Sequence, residues 1–225
     1  MATVILVRHG RSTANVAGIL TGRAAGVDLD AVGRSQAVRA AERLAVVPLV
    51  AVVSSPLARC RQTARVIAEP QSLPVQVEGG IVECDYGQWQ GRPLKELAHE
   101  PLWSVVQTKP SEAVFPDGES LAAMQARSVA AIRRRDAAFE ADAVWVAVTH
   151  GDIIKSVLAD ALGMELDLFQ RITVNPGSIS IIRYGATRPE VVATNTDSGD
   201  LSWLCAAGPV GDAQVGGGAG PGTAS

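Results

Sequence analysis

Short apolar runs, each the length of a buried strand, punctuate this chain at residues 3–7, 49–53, 143–149, 179–184 and 190–194, and the stretches between them carry helical spacing. That alternation constrains the fold more than any other feature. Strands that are apolar on both faces need helices on both sides, so the expected architecture is an α/β fold, a three-layer α/β/α sandwich around a mainly parallel central sheet. Apolar residues make up 47% of the chain and aromatics only 4%, which leaves Val, Ala, Leu and Ile to build the core. Two runs end alike: Val4-Ile5-Leu6-Val7 leads into Arg8-His9-Gly10, and Val144-Trp145-Val146-Ala147-Val148 into Thr149-His150-Gly151. Open α/β sheets hold ligands just beyond the carboxyl ends of their strands. Two imidazoles far apart in sequence are therefore expected to meet over one ligand.

The segments between the runs read as follows. Gly33 to Val46 is a helix returning to the second strand and ended by Pro48. Ser54-Ser55-Pro56 offers an N-cap and a first-turn proline to a helix reaching about Ala68. Ser120 to Phe139 forms another helix, with Leu121, Met124, Ser128, Ala131 and Ile132 on one face. Arg133, Arg134 and Arg135 near its end favour the helix dipole, and an exposed charge run is a simpler reading of them than substrate contact. Residues 92–118 are broken by Pro93, Pro101, Pro110 and Pro116 yet carry Leu94, Leu97, Trp103, Val105, Val106 and Phe115; a short helix plus a packed flap is expected. Residues 1–205 are taken as one domain containing this flap, and the Gly-, Ala- and Pro-rich residues 206–225 as a disordered tail that buries too little to order itself.

A formal net charge of −3 provides no global attraction to nucleic acid or to an anionic membrane, so neither is an expected partner. The first apolar run meets Arg8 within a few residues and reads as a strand rather than a secretion signal. No apolar stretch approaches the roughly 18 residues of a membrane span. Cys60, Cys84 and Cys205 form neither a metal-binding spacing nor an even-numbered disulfide framework, and reduced thiols in a cytoplasmic protein are expected. Carboxylates with metal-ligand spacing are also lacking, so no metal and no cofactor is expected. A homodimer through an exposed sheet edge is compatible with the sequence.

Arg8-His9-Gly10-Arg11-Ser12-Thr13-Ala14-Asn15 supplies groups suited to an oxyanion: a guanidinium fork, a nucleophilic ring nitrogen and an amide donor, with Gly10 letting the backbone turn tightly beside the ligand. Further along come Thr21-Gly22, then Gly33 with Gln36-Ala37, then Ser54-Ser55-Pro56-Leu57-Ala58-Arg59 with Gln62-Thr63-Ala64. Glu83-Cys84-Asp85-Tyr86-Gly87-Gln88-Trp89-Gln90-Gly91, Gly118-Glu119-Ser120 and Thr149-His150-Gly151 follow. In this order, over residues 3 to 184, the motifs resemble the histidine phosphatase superfamily, also called phosphoglycerate mutase-like.

The resemblance implies a phosphoglycerate mutase-like fold and a small phosphorylated substrate. It makes His9 the nucleophile that becomes a phosphohistidine, with Arg8, Arg59 and His150 around it. Asn15, Thr21 and backbone N–H groups near Gly22 and Gly151 would complete the substrate-binding cradle. Glu83 would be the general acid and then the base, with Asp85 the nearby competitor. Two arginines and a second histidine can serve phosphoryl transfer without a metal.

Other residues have plainer readings. His99, Arg61 and Arg65 are expected at the surface, Arg11 and Arg23 as exposed charge more readily than as substrate contacts, and Trp89 as packing beneath the Glu83 turn. Ser12 and Thr21 suit turns and caps as well as phosphate. Within the family the Glu83 turn resembles the phosphatase branch. Mutases carry a longer, arginine-bearing insertion, whereas residues 102–117 contain Lys109 and no arginine. A phosphomonoester hydrolase is expected, with a mutase as the rival and a catalytically silent binder of phosphorylated ligands as the third reading. Trp103, Val105, Val106 and Phe115 form either an apolar lid, which would disfavour bisphosphates, or core.

Overall fold

The structure, a computed structural model, describes residues 2–202 and 204; the expected tail and Cys205 lie outside the described residues. Its strands are β1 (Thr3–Arg8), β2 (Leu49–Ser54), β3 (Val75–Val77), β4 (Val144–Thr149), β5 (Ile179–Tyr184) and β6 (Pro189–Thr196). They form one sheet in the order β3-β2-β4-β1-β5-β6. β1 to β4 run parallel, and β5 pairs antiparallel with both β1 and β6. The mainly parallel sheet expected from the sequence is present. β3, which the apolar pattern does not reveal, is a three-residue, partly exposed Val-Gln-Val held by pairing with Val52–Ser54.

The alternation of strand side chains splits the core into two layers. Val4 and Leu6 of β1, with Trp145 and Ala147 of β4, pack on one face. Ile5 and Val7, with Val146 and Val148, pack on the other. Helices α2 (Ala31–Leu44) and α3 (Ala58–Ala68) cover the second face through Ala40, Leu44, Ala64 and Ile67. Helices α6 (Leu121–Asp136) and α7 (Gly151–Ala161) cover the first through Met124, Ile132, Ile153 and Val157. Among the described residues no helix is long and apolar enough to cross a membrane.

Helix boundaries depart from the sequence reading where side chains have other work. α2 begins at Ala31 rather than at Gly33 because Asp30 is its N-cap, accepting the Gly33 N–H at 2.7 Å. α3 begins at Ala58, after Leu57 and without a side-chain cap: Ser54 donates to the Ser55 carbonyl, and Ser55 Oγ is turned toward His150. A short helix α1 (Thr13–Ala17), unseen in the sequence, is closed by a capping box between Ser12 and Asn15. Residues 92–118 hold two short helices rather than one, α4 (Leu94–Leu97) and α5 (Pro101–Thr108), followed by a 3₁₀ turn at Pro110–Glu112.

The four side chains that could have formed an apolar lid do not line the cavity beside His9. Val106 and Phe115 are buried in the α6/α7 core, with Trp103 and Val105 packed against it. Trp89 stacks on Trp103 at 6.2 Å and meets Phe115 edge-on at 5.3 Å. The low affinity for bisphosphates expected from a lid therefore loses its basis.

Gly10 also serves a purpose other than the tight turn expected. Its backbone dihedrals are not left-handed. Instead β1 ends against the start of α2 so closely that a Cβ on Gly10 would overlap the Gly33 carbonyl, and one on Gly33 would overlap the Arg11 backbone. Alanine within a helix ordinarily gains about 1 kcal/mol over glycine. Gly33→Ala is expected to do the opposite, lowering stability by about 1–3 kcal/mol through overpacking, which thermal unfolding checks; an unchanged or raised Tm contradicts it.

Candidate active site

β1 and β4 are adjacent and in register, with Arg8 opposite Thr149, so the residues that follow them leave the same sheet edge side by side. His9 and His150 consequently face each other with ring centroids 5.3 Å apart at 66°. Arg59, on the first turn of α3, lies between them, only 2% exposed. Its Nε donates to His9 Nε2 at 3.2 Å, and its Nη2 donates to the Gly22 carbonyl at 2.8 Å and to His150 Nδ1 at 3.2 Å. His9 Nδ1 stands 2.7 Å from the Gly10 carbonyl. A carbonyl only accepts and a guanidinium only donates, so Nδ1 carries the proton and Nε2 presents its lone pair. The same logic makes His150 Nδ1 an acceptor and its Nε2 the donor to Ser55 Oγ at 2.8 Å.

Both imidazoles are held neutral. Burial, then the charges of Arg59 and Arg8, push His9 well below its ordinary value, and burial and Arg59 do the same to His150. Arg8 donates through Nη1 to the Val174 carbonyl at 2.6 Å. Its Nε, and Nη1 of Arg59, are buried without a hydrogen-bond partner. Unpaired buried guanidinium donors are costly unless an anion completes them. Two such donors beside a lone pair on His9 describe an oxyanion site.

Glu83 approaches from the irregular stretch after Ile81. Its Oε1 accepts the Cys84 N–H at 2.9 Å, and its Oε2 lies 3.9 Å from His150 Nδ1. Burial, and next the Asp152 carboxylate, raise it to about 7. Asp85, the alternative acid, turns back to accept the Gly87 N–H at 3.1 Å. Cys60 Sγ sits 3.4 Å from His150 Nε2, but burial pushes the thiol up to about 12, which leaves it un-ionised. Cys60 and Cys84 are both free and buried. Among the described residues no cluster of three or more His, Cys, Asp or Glu side chains is disposed to hold a metal ion.

Residues 4–197 match the histidine phosphatase superfamily, branch 1. The chain belongs to that superfamily. Among relatives of this histidine phosphatase superfamily member, phosphoserine phosphatase 1 of Hydrogenobacter thermophilus is 31% identical over 201 residues, 87% of this chain and 92% of its own. A protein of Yersinia enterocolitica named "Probable phosphoglycerate mutase GpmB" is 30% identical over 188 residues, 82% of this chain and 86% of its own. The crystal structure of the alpha-ribazole phosphatase from Shigella flexneri superposes with a TM-score of 0.78 at 25% identity, covering 88% of this chain and 98% of that one. The phosphoglycerate mutase-like fold is thereby shown.

In this superfamily member, Arg8, His9, Asn15, Thr21, Gly22, Arg59, Glu83 and Gly151 line one cavity of about 220 Å³, and His150 is fully buried against Arg59. Gly22 takes a left-handed φ of 50° and contributes its carbonyl to Arg59. Gly151 opens α7, where the helix N-terminus favours an anion. Asn15 Oδ1 is engaged by the Ser12 N–H and hydroxyl, leaving its NH₂ outside the capping box.

Several sequence candidates stand elsewhere. Ser12 is a cap, Arg11 pairs with Asp30, and His99, Arg61 and Arg65 are exposed. Arg133 pairs with Asp160, and Arg134 and Arg135 with Glu78. Arg23 is not free surface charge: it bonds the Glu83 carbonyl and the Glu119 carboxylate. The sequence reading missed the other residues that line the cavity, Tyr86, Asp152, Lys155, Leu94, Ile19, Leu20 and Val174. Tyr86 donates to Asp152 at 2.8 Å, and Lys155 reaches Asp152 at 3.4 Å. Tyr86 and Asp152 sit beside Glu83 and His150 in the motifs, and that adjacency was the available signal.

Proposed function

We propose that the protein is a metal-independent phosphomonoester hydrolase acting through a phosphohistidine on His9. The observation that carries this reading is the unprotonated His9 Nε2 beside the unpaired donors of Arg8 and Arg59. Nε2 attacks phosphorus and the phosphorus–oxygen ester bond breaks. Arg8, Arg59 and the N-terminus of α7 take the charge on the equatorial oxygens. Glu83, raised to about 7, holds the proton that the departing oxygen needs. Water then attacks phosphorus, giving its proton to the Glu83 carboxylate as the nitrogen–phosphorus bond breaks, and inorganic phosphate leaves. His150 positions Arg59, and Asn15, Thr21, Gly22 and Gly151 border the phosphate.

The substrate is a small phosphorylated molecule whose leaving group meets Tyr86, Asp152, Lys155 and the apolar side chains of Ile19, Leu20, Leu94 and Val174. A cavity of about 220 Å³ suits a compact one. The named mutase relative keeps phosphoryl return to a second hydroxyl as the other reading. It is less favoured because Lys155, which lines the cavity, is already answered by Asp152, leaving little for a second anionic group.

Phosphate release from a panel of phosphomonoesters in the presence of chelator tests the proposal. Release that resists the chelator is expected. A flux between 3- and 2-phosphoglycerate comparable with phosphate release overturns the hydrolase in favour of the mutase.

A further inference from the structure

Residues 82–86, which carry Glu83, belong to no helix or strand. What shapes them comes from elsewhere in the chain. Arg127, on α6, donates Nη1 to the carbonyls of Gly80 at 2.9 Å and Val82 at 2.7 Å. Its Nη2 donates to the Glu83 carbonyl at 3.0 Å and to Glu119 Oε1 at 2.5 Å, and its Nε to Glu119 Oε2 at 2.9 Å. All five guanidinium N–H groups thus have an acceptor. Arg23 donates Nε to the same Glu83 carbonyl at 2.9 Å and Nη2 to Glu119 Oε1 at 2.9 Å. Glu119 Oε1 also accepts the Asp85 N–H at 2.9 Å.

We propose that Arg127, Arg23 and Glu119 form a clamp that positions Glu83 for proton transfer to the leaving group. The inference rests on the reading of Glu83 as general acid. It also supplies a role for the Gly118-Glu119-Ser120 motif, which the chemistry at His9 leaves unused. Two guanidiniums meet at one carbonyl, that of Glu83, and a single carboxylate holds both of them in place. Burial alone would raise Glu119, but its bonds from Arg127 and Asp85 and the charges of both arginines outweigh this and keep it ionised. Arg23 extends the clamp to the phosphate end: it follows Gly22, whose carbonyl holds Arg59, and its own N–H donates at 2.6 Å to Oε1 of Gln90, seven residues after Glu83 in the same turn. The two ends of the reaction are thereby tied through one loop. Lysine keeps the charge of Arg127 but has three tetrahedral donors in place of a planar five-donor fork, so it cannot hold three carbonyls and a carboxylate together.

Proton donation matters for an alkyl phosphate, whose alkoxide leaves poorly, and little for p-nitrophenyl phosphate, whose phenolate leaves unaided. A loss of folded protein lowers both rates alike. Arg127→Lys is therefore expected to lower kcat/KM at least about tenfold for the best alkyl phosphate of the panel and less than about threefold for p-nitrophenyl phosphate, within the range general acid catalysis commands. Glu83→Gln, measured beside it, separates the two ideas. If Glu83→Gln costs both esters equally, the general-acid reading fails. If Glu83→Gln discriminates between esters and Arg127→Lys does not, the clamp fails. Should Arg127→Lys not fold, Arg23→Gln removes one of the two bonds to the Glu83 carbonyl from a more exposed side chain. A folded Arg23→Gln protein with an unchanged ratio between the two esters then overturns the clamp.

Discussion

His9→Ala is expected to abolish turnover of phosphomonoesters and to remove the phosphoryl label that the wild-type protein carries during turnover. The loss should be on the order of 10⁴-fold or more, the scale on which deleting a nucleophile acts in other covalent enzymes. The geometry explains why no neighbour can substitute. His150 is fully buried and, unlike His9, does not line the cavity, its Nε2 donates to Ser55, and burial keeps Cys60 un-ionised. Arg8 and Arg59 remain in the variant, so binding of inorganic phosphate should survive, and that readout distinguishes lost chemistry from lost fold. Rapid-quench labelling with a radioactive phosphomonoester measures the intermediate directly. Persistence of an acid-labile label in folded His9→Ala protein would sink the assignment of the nucleophile.

Glu83→Gln is expected to slow phosphorylation of His9 by an alkyl phosphate about 10²- to 10⁴-fold, the usual contribution of a positioned acid. Glutamine keeps the acceptor for the Cys84 N–H and the shape of the side chain, so the change isolates the proton. The pH dependence has a definite sign. Glu83 is raised to about 7, first by burial and then by Asp152. It therefore carries its proton below that pH and loses it above. In the wild type, single-turnover phosphorylation should be fast below about 7 and decline as pH rises through it. Release of phosphate by water needs the carboxylate and should rise through the same pH. His9, held well below 6.5 by burial and the charges of Arg59 and Arg8, limits the rate only at the acid end. Both limbs near neutrality should vanish in Glu83→Gln; their survival would assign the titration to another group.

The residues legible in the sequence share one property: their neighbours in the chain are also their neighbours in function. β1 and β4 are buried on both faces and so appear as unbroken apolar runs, which place His9 and His150 at strand ends before any pairing is known. Arg59 is implied by the resemblance, and its place on the first turn of the helix that follows β2 agrees with that role. β3 escaped notice because three partly exposed residues leave no apolar run. The start of α3 was misplaced because Ser55, a good cap by type, is drawn to His150 by a contact 95 residues away. Trp103 and Phe115 suited a lid or a core equally, since both demand the same large apolar side chains; only their packing against Trp89 and the core it belongs to distinguishes the two.

By itself, then, the sequence determined the layered α/β architecture and the two His-Gly strand ends, while the other candidate residues came from the order of motifs that resembles the superfamily. Burial and backbone conformation leave periodicities and residue types that can be read locally. The tertiary structure alone decided which ring nitrogen of His9 carries no proton, that Asp152 and Glu83 line one cavity, and that Arg127 reaches 44 residues back to the Glu83 carbonyl. Those contacts end on backbone carbonyls or depend on charges meeting across elements. Every residue carries a carbonyl, and an arginine that grips one is spelled the same as an arginine in water.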